Sequence, residues 1–461
     1  MTQKLFSISR FFLYLAPFSL VIVYQGSLFP FIVGKYFFFR TVVELALLFF
    51  LWGWALAPQK RSLRDKESSS GSSLSAVFKN PLVIAVGIFV AVYLLAGFFG
   101  VNPQSSFWSN FERGEGGLQL LHFFAYFFLL AALFRDAQSW RRMLVVCVAA
   151  ALLLVGYGLL ASLKYVDAAY DAQGNLNPKG SGAWFKTFSD FIGGDLCGRF
   201  SGSLGNPAYV GTVMLFAIFY SLFLLVSGRQ RSRFIWGVLA FVFFLFLLLS
   251  QTRGAFLGLG AGVVVGLAYL AFRANSRRWR LLSFAFLLFF LAVGGALVYN
   301  QTSLNVMPWC EQRSQVLDVS VKAQTFQTRL TLWRQSIEAF KERPWLGWGP
   351  ENFSLAIEKH FDLALSAAWF DRAHNIFFDY LVFTGLLGLL SFIAIFIVLF
   401  WRLLRSFAGS GRSLAEEALL VALPVAYLVQ GLVLFDVLSI YLNLFLFLAF
   451  CFYKINERNP I

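Results

Sequence analysis

Long apolar runs alternate with short polar stretches along almost the whole chain. A helix needs about 20 mostly apolar residues to cross the hydrocarbon core of a bilayer. Twelve blocks approach or exceed that length, near 11–30, 39–57, 81–99, 116–134, 143–162, 207–227, 234–250, 254–272, 281–299, 376–400, 418–434 and 438–453. The pairs 234–250/254–272 and 418–434/438–453 have very short connections and read as helical hairpins. The pattern predicts an all-α fold, a polytopic transmembrane helical bundle of about 12 spans.

The polar stretches divide the chain. Residues 1–299 hold spans one to nine, with a serine-rich linker at 58–80 and a loop at 163–206. Residues 300–375 form a larger loop, and 376–461 hold the last three spans. Inside the large loop, Leu332, Trp333, Ile337 and Phe340 recur at helical spacing and predict an amphipathic helix from Arg329 to Glu342. Pro344 ends it, and Trp345–Pro350 reads as a rigid turn.

Composition agrees with this class. The chain is 59% hydrophobic and 13% charged, against about 25% charged in soluble domains. The net charge of +15 reflects orientation, because cytoplasmic segments of membrane proteins collect Lys and Arg. With both termini inside, 22 of the 38 Lys and Arg fall on the cytoplasmic side, and eight of the others lie in the one long loop. That loop and the 163–206 loop then face outward. The basic residues are scattered among short loops, which argues against a nucleic-acid partner.

Several chemistries lack their residues. There is no Gly-x-x-x-x-Gly-Lys-Ser/Thr phosphate loop, no His-Glu-x-x-His and no Cys-x-x-Cys. The only histidines are His122, His360 and His374, so no metal site and no cofactor is expected. Cys147 and Cys451 fall in apolar blocks; Cys197 and Cys310 fall in the two large loops, where pairing and non-pairing both stay open. Ionisable residues inside the blocks are few, Glu44 being the clearest, where an ion-coupled transporter needs a path of them.

The candidate chemistry sits at block edges. His374-Asn375 stands where the large loop enters an apolar block, and Gly385 and Gly388 follow, one helical turn apart, where another helix could approach closely. A histidine at the membrane edge can take a proton from a hydroxyl near neutral pH. Asn375 could orient an acceptor or cap the helix. Among the arginines, Arg253 is pinned in a tight hairpin turn and Arg199 lies just before the sixth block. Both suit phosphate oxygens. Arg113, Arg334 and Arg372 read as salt-bridged or snorkelling residues.

These residues resemble a family. Arg253-Gly-Ala-Phe-Leu257 resembles the Arg-x-x-x-Leu signature of the O-antigen ligase and polymerase family. His374-Asn375, nine residues and Gly385-x-x-Gly388 resemble its second signature. Ser203-Leu-Gly-Asn-Pro-Ala208, which contains Asn206, is similar to a Gly-Asn-Pro-Asn stretch, with Ala208 where asparagine is common. Arg329–Arg334 and Gly347–Phe353 resemble large-loop elements of the same family, and the set stands in family order.

The resemblance implies a GT-C-like glycosyltransferase in the bacterial inner membrane, with its site facing the periplasm. It implies transfer of a glycan from a polyprenyl diphosphate carrier to a hydroxyl on a lipid, a growing glycan or a protein, without a metal. His374 would be catalytic. Arg253, Arg199 and Arg329 would hold the diphosphate, with Asn375, Asn206, Gly385 and Gly388 in support. Rival readings are a lipid-linked glycan flippase, a membrane scaffold, and a peptidoglycan polymerase of the shape, elongation and division type. The last would use an outer-loop aspartate, and Asp371 and Asp379 flank His374.

Overall fold

The computed structural model describes residues 1–57, 74–110, 113–163, 199–228, 230–299, 324–360, 370–407 and 411–457. Most of the 58–80 linker and of the 163–206 loop, the first part of the 300–375 loop, and both Cys197 and Cys310 lie outside the described residues.

Every regular element among the described residues is a helix. The long ones are α1 (Thr2–Leu15), α2 (Val33–Ala55), α3 (Pro81–Phe98), α4 (Gly117–Leu133), α5 (Ala137–Leu163), α6 (Pro207–Ser227), α7 (Gln230–Leu249), α8 (Arg253–Arg273), α9 (Arg277–Tyr299), α10 (Gln324–Glu342), α11 (Ile376–Phe407), α12 (Leu414–Gly431) and α13 (Leu438–Asn456). Ten of these, all but α1, α4 and α10, are long and apolar enough to cross a membrane. The chain is a multi-pass helical membrane protein.

Eleven of the twelve apolar blocks coincide with a long helix, and the first departs from its expected limits of 11–30. Its α-helix covers Thr2–Leu15, and Ala16–Leu20 continue as a 3-10 turn with a proline in its first turn. Pro17 lacks the N–H that would continue the ladder. The Leu20 and Ile22 carbonyls at the broken end accept from Lys35 Nζ at 3.1 and 2.5 Å. A buried lysine thus serves the interrupted helix as a local partner.

The bundle is layered around α13 and α6, whose most apolar stretches are 89% and 78% buried; α7 and α9, at 11% each, lie at the periphery. Aromatic rings knit the centre. Phe123 of α4 lies 4.8 Å from Phe39 of α2 and 5.7 Å from Phe445 of α13. On the other side α8 runs along α12. A side chain at Gly258 would come 2.6 Å from the Ala426 carbonyl oxygen, and one at Gly254 2.6 Å from Val433. Small residues therefore let these two helices touch backbone to backbone, and this contact fixes the start of α8.

A second, smaller core sits where the large loop meets α11. Leu332, Ala339, Trp348, Phe353, Ala373 and Val382 are buried together there. Helix α10 is amphipathic as its spacing predicts, but its buried face differs. Leu332, Gln335, Ser336 and Ala339 are buried while Ile337 is exposed. The polar pair tolerates burial because Gln335 donates to the His360 carbonyl at 2.9 Å and Ser336 to Leu332 O at 2.8 Å.

Gly385 breaks α11. Its backbone is left-handed (φ 63°, ψ −163°) inside the helix, which a residue without Cβ adopts freely. The freed backbone groups pair with the turn after α10. Trp348 and Gly349 donate to the Val382 and Phe383 carbonyls at 2.8 and 2.9 Å, and Leu386 donates to Pro344 O at 2.8 Å. A side chain on Gly385 would stand 2.4 Å from the Trp345 carbonyl carbon. The expected helix-on-helix contact is thus a loop docked into a helix break. Gly388 faces its own helix instead, where a Cβ would strike Thr384 at 1.7 Å.

Candidate functional site

The arginine signature is assembled from two segments. The chain at 199–206 lies against the turn between α7 and α8. Phe200 N–H donates to Leu249 O at 3.0 Å. Arg199 reaches the Ser250 carbonyl through Nε at 3.3 Å and Thr252 Oγ1 through Nη2 at 3.5 Å. Asn206 then caps α6, accepting from Ala208 N–H at 2.9 Å. Arg253 opens α8, so its charge and that of Arg199 share the positive end of a helix dipole.

Arg329, in the first turns of α10, joins them. Burial and then the Arg253 charge both weaken proton binding at Arg199 and at Arg329. Among the described residues, no carboxylate forms an ion pair with Arg199 or Arg329. Three cations thus converge: Arg329 and Arg253 are half-buried, Arg199 is exposed, and Arg253 repels the other two. A half-buried cation without a counter-ion is costly, so Arg329 in particular favours an anion beside it.

His374 completes the group. It has a left-handed backbone, φ 54°. The Asn375 side chain accepts from Phe377 N–H at 2.9 Å and Phe378 N–H at 3.4 Å. Of its two expected roles, the cap is the one its bonds express. The imidazole packs 5.1 Å from the Phe435 ring and 6.3 Å from Phe370. Burial, and after it the Arg329 charge, push its pKa down to about 4. The ring is neutral at pH 7 and free to accept a proton, though its basicity is low because burial and the arginines outweigh the pull of Asp371.

Behind Phe435 lies a set of ion pairs that the sequence did not single out. Arg372 binds Glu351 at 2.5 Å and Glu115 at 3.5 Å, with all three side chains buried. Arg113 pairs with Asp371 and lies 5.0 Å over Phe435. Burial drives the Glu115 carboxyl up to about 7 against the pull of Arg113 and Arg372. For Asp371, burial pushes upward, but Arg113 and Arg372 outweigh it and hold the carboxyl low. Arg113 and Arg372 are salt-bridged, while Arg334 is exposed. Glu115 and Glu351 carried no motif of their own. Their signal was only their position beside Arg113 and within the Gly347–Phe353 turn.

No group of three His, Cys, Asp or Glu among the described residues could hold a metal ion. Asp379, the flanking carboxylate inside α11, accepts from Ala373 N–H at 2.7 Å.

Comparison with known proteins meets this geometry. Residues 238–393 match the O-antigen ligase family model. The match spans Arg253, Arg329, His374, Asn375, Gly385 and Gly388 and leaves Arg199 and Asn206 outside. The general O-oligosaccharyltransferase of Acinetobacter baylyi is 27% identical over 201 residues, 43% of this chain and 35% of that protein. The chain therefore spans about a third of that relative's length. With ten helices among the described residues long and apolar enough to cross a membrane, and with this match, the chain is a polytopic membrane protein that carries an O-antigen ligase-related region at residues 238–393.

Proposed function

We propose that this protein is a glycosyltransferase that moves a glycan from a polyprenyl diphosphate carrier to an acceptor hydroxyl at the outer face of the bacterial inner membrane. The observation that carries this reading is the grouping of Arg199 and Arg329, neither with a carboxylate partner among the described residues, around Arg253, with Arg329 also within electrostatic reach of a neutral His374.

The chemistry divides between the two sides. The bond from the anomeric carbon to the diphosphate oxygen breaks, and the leaving diphosphate takes the electron pair. Arg253, with Arg199 and Arg329, offsets the charge that develops there. The acceptor oxygen forms the new bond to the anomeric carbon, and His374 takes its proton. Donor binding also tunes the base. A diphosphate among the arginines opposes the field that depresses His374 and raises its affinity for a proton. The Asn375 and Asn206 caps fix the starts of α11 and α6, and the Gly385 break seats the loop that carries Arg329.

The acceptor has two readings. The region match favours a glycolipid or a growing glycan, and the likeness to an O-oligosaccharyltransferase favours a protein hydroxyl. The test is transfer from undecaprenyl-diphosphate-linked oligosaccharide by purified protein, offered lipid A-core and a pilin-type protein in separate reactions. Product on either acceptor, lost in His374→Ala, supports the reading. Movement of the lipid-linked glycan across a proteoliposome membrane, with no product on either acceptor, sinks it in favour of a flippase.

A further inference from the structure

The backbone at His374 is left-handed, a region that residues with a Cβ occupy uncommonly. Such a conformation persists only when its surroundings hold it. The residue just before it is gripped at both of its backbone polar groups. Its N–H, on Ala373, donates to Asp379 Oδ1 at 2.7 Å, and its carbonyl accepts from the Trp333 indole N–H at 3.0 Å. Asp379 is one turn inside α11. Trp333 belongs to α10, four residues after Arg329 and so on the same side of that helix. The indole is itself anchored, stacked on Phe378 of α11 at 5.4 Å and 13°.

We propose that Trp333 and Asp379 are positioning residues that clamp the Ala373 backbone on both sides, fix His374 in its left-handed conformation and set its separation from Arg329. The clamp ties the two halves of the reaction together. Arg329 stands on the leaving-group side and His374 on the acceptor side, and Trp333 links the helix of one to the backbone of the other. Asp379 supplies the opposing hold from the rigid first turn of α11. Its second oxygen, Oδ2, is buried without a hydrogen-bond partner, so the Ala373 N–H is the bond that orients this carboxylate.

The inference rests on His374 as the base, and the experiment separates the two. Trp333→Phe keeps the stack on Phe378 and removes only the indole N–H. Asp379→Ala removes the acceptor for Ala373, whereas Asp379→Asn retains one. Full-length variants in nanodiscs are assayed with undecaprenyl-diphosphate-linked oligosaccharide and whichever acceptor the wild type uses. Trp333→Phe and Asp379→Ala should lower kcat by about ten- to a hundredfold, the scale of a small misplacement of a reacting group, with donor KM unchanged. Asp379→Asn should recover most of the loss.

A second readout distinguishes positioning from general stability. The charged groups acting on His374 are Arg329, Asp371, Arg113 and Arg372. A ring released from its place regains water, so the acid limb of kcat/KM should move up from near pH 4 in both damaging variants. Wild-type kcat together with an unmoved limb in Trp333→Phe overturns the clamp. If Asp379→Ala fails to accumulate, Trp333→Phe and Asp379→Asn decide the matter. His374→Ala is run alongside. If it is fully active, the base reading and the clamp fall together. If it is inactive while Trp333→Phe is wild-type, the clamp alone falls.

Discussion

Arg113, Arg199, Arg253, Arg329 and Arg372 are chemically identical, and their partners divide them. Arg113 and Arg372 have carboxylates in contact, so their charge is already answered and their removal would strand buried acids. Arg199 and Arg329 feel Arg253 instead. We expect Arg253→Ala to lower glycan transfer by two or more orders of magnitude, the scale of losing one charge-stabilising donor, about 2.7–4 kcal/mol. Arg253→Lys should restore only part, because a point charge does not reproduce the guanidinium fork. Full activity of the alanine variant at equal abundance in the membrane would remove Arg253 from the site. His374 gives a pH signature with a definite sign. Only the neutral ring can accept a proton, so rate is lost as pH falls through its pKa. In kcat/KM, which reports the free enzyme, the acid limb should lie near pH 4. In kcat the bound diphosphate opposes Arg329, so the limb should lie higher. A kcat limb at or below the kcat/KM limb would contradict a diphosphate seated among these arginines.

At the scale of elements, what a sequence reveals depends on how local the cause is. Helices were legible because each apolar run carries its own reason to be helical in lipid, where backbone groups must pair within the segment. The Asn375 and Asn206 caps were also within reach, since a cap acts over two or three residues. The Gly385 break was not legible. Gly-x-x-Gly in an apolar stretch has the form of a helix-packing motif, and only the Trp345–Gly349 turn, some forty residues earlier in the chain, turns it into a docking slot. The exposed Ile337 has a similar origin, because the His360 carbonyl, outside the periodic pattern, gives Gln335 a partner on the buried face of α10. The break can be tested directly. Gly385→Ala imposes a left-handed alanine, about 1–3 kcal/mol of strain, and a clash with the Trp345 backbone. We expect a lower melting temperature in detergent and loss of activity. Gly260→Ala, where a side chain meets nothing within 4 Å, is the control and should be neutral or stabilising. Equal melting of the two variants would show that the slot carries no strain.

At the scale of the whole molecule, the ion network is the part that sequence reading could not supply. Glu115 meets Arg372 and its partner Glu351 across more than two hundred residues of chain, and no local pattern encodes such a meeting. Orientation is the opposite case, since it is written in the short loops and not in any contact. The Lys and Arg bias predicts both termini in the cytoplasm, and nine expected crossings before the segment holding α10 and His374 would then put that segment outside. That side is where a diphosphate carrier would present a finished glycan in the proposed reaction, so topology and mechanism stand or fall on one measurement. In a background with Cys197 and Cys310 changed to serine, a single cysteine is placed at exposed Glu338 of α10 or at Ser69 of the linker. A membrane-impermeant maleimide should label the Glu338 position in spheroplasts and leave the Ser69 position untouched until the membrane is opened. Labelling at Ser69 alone would invert the protein. It would place the arginines and His374 in the cytoplasm, where the proposed transfer to an outer-face acceptor has no substrate.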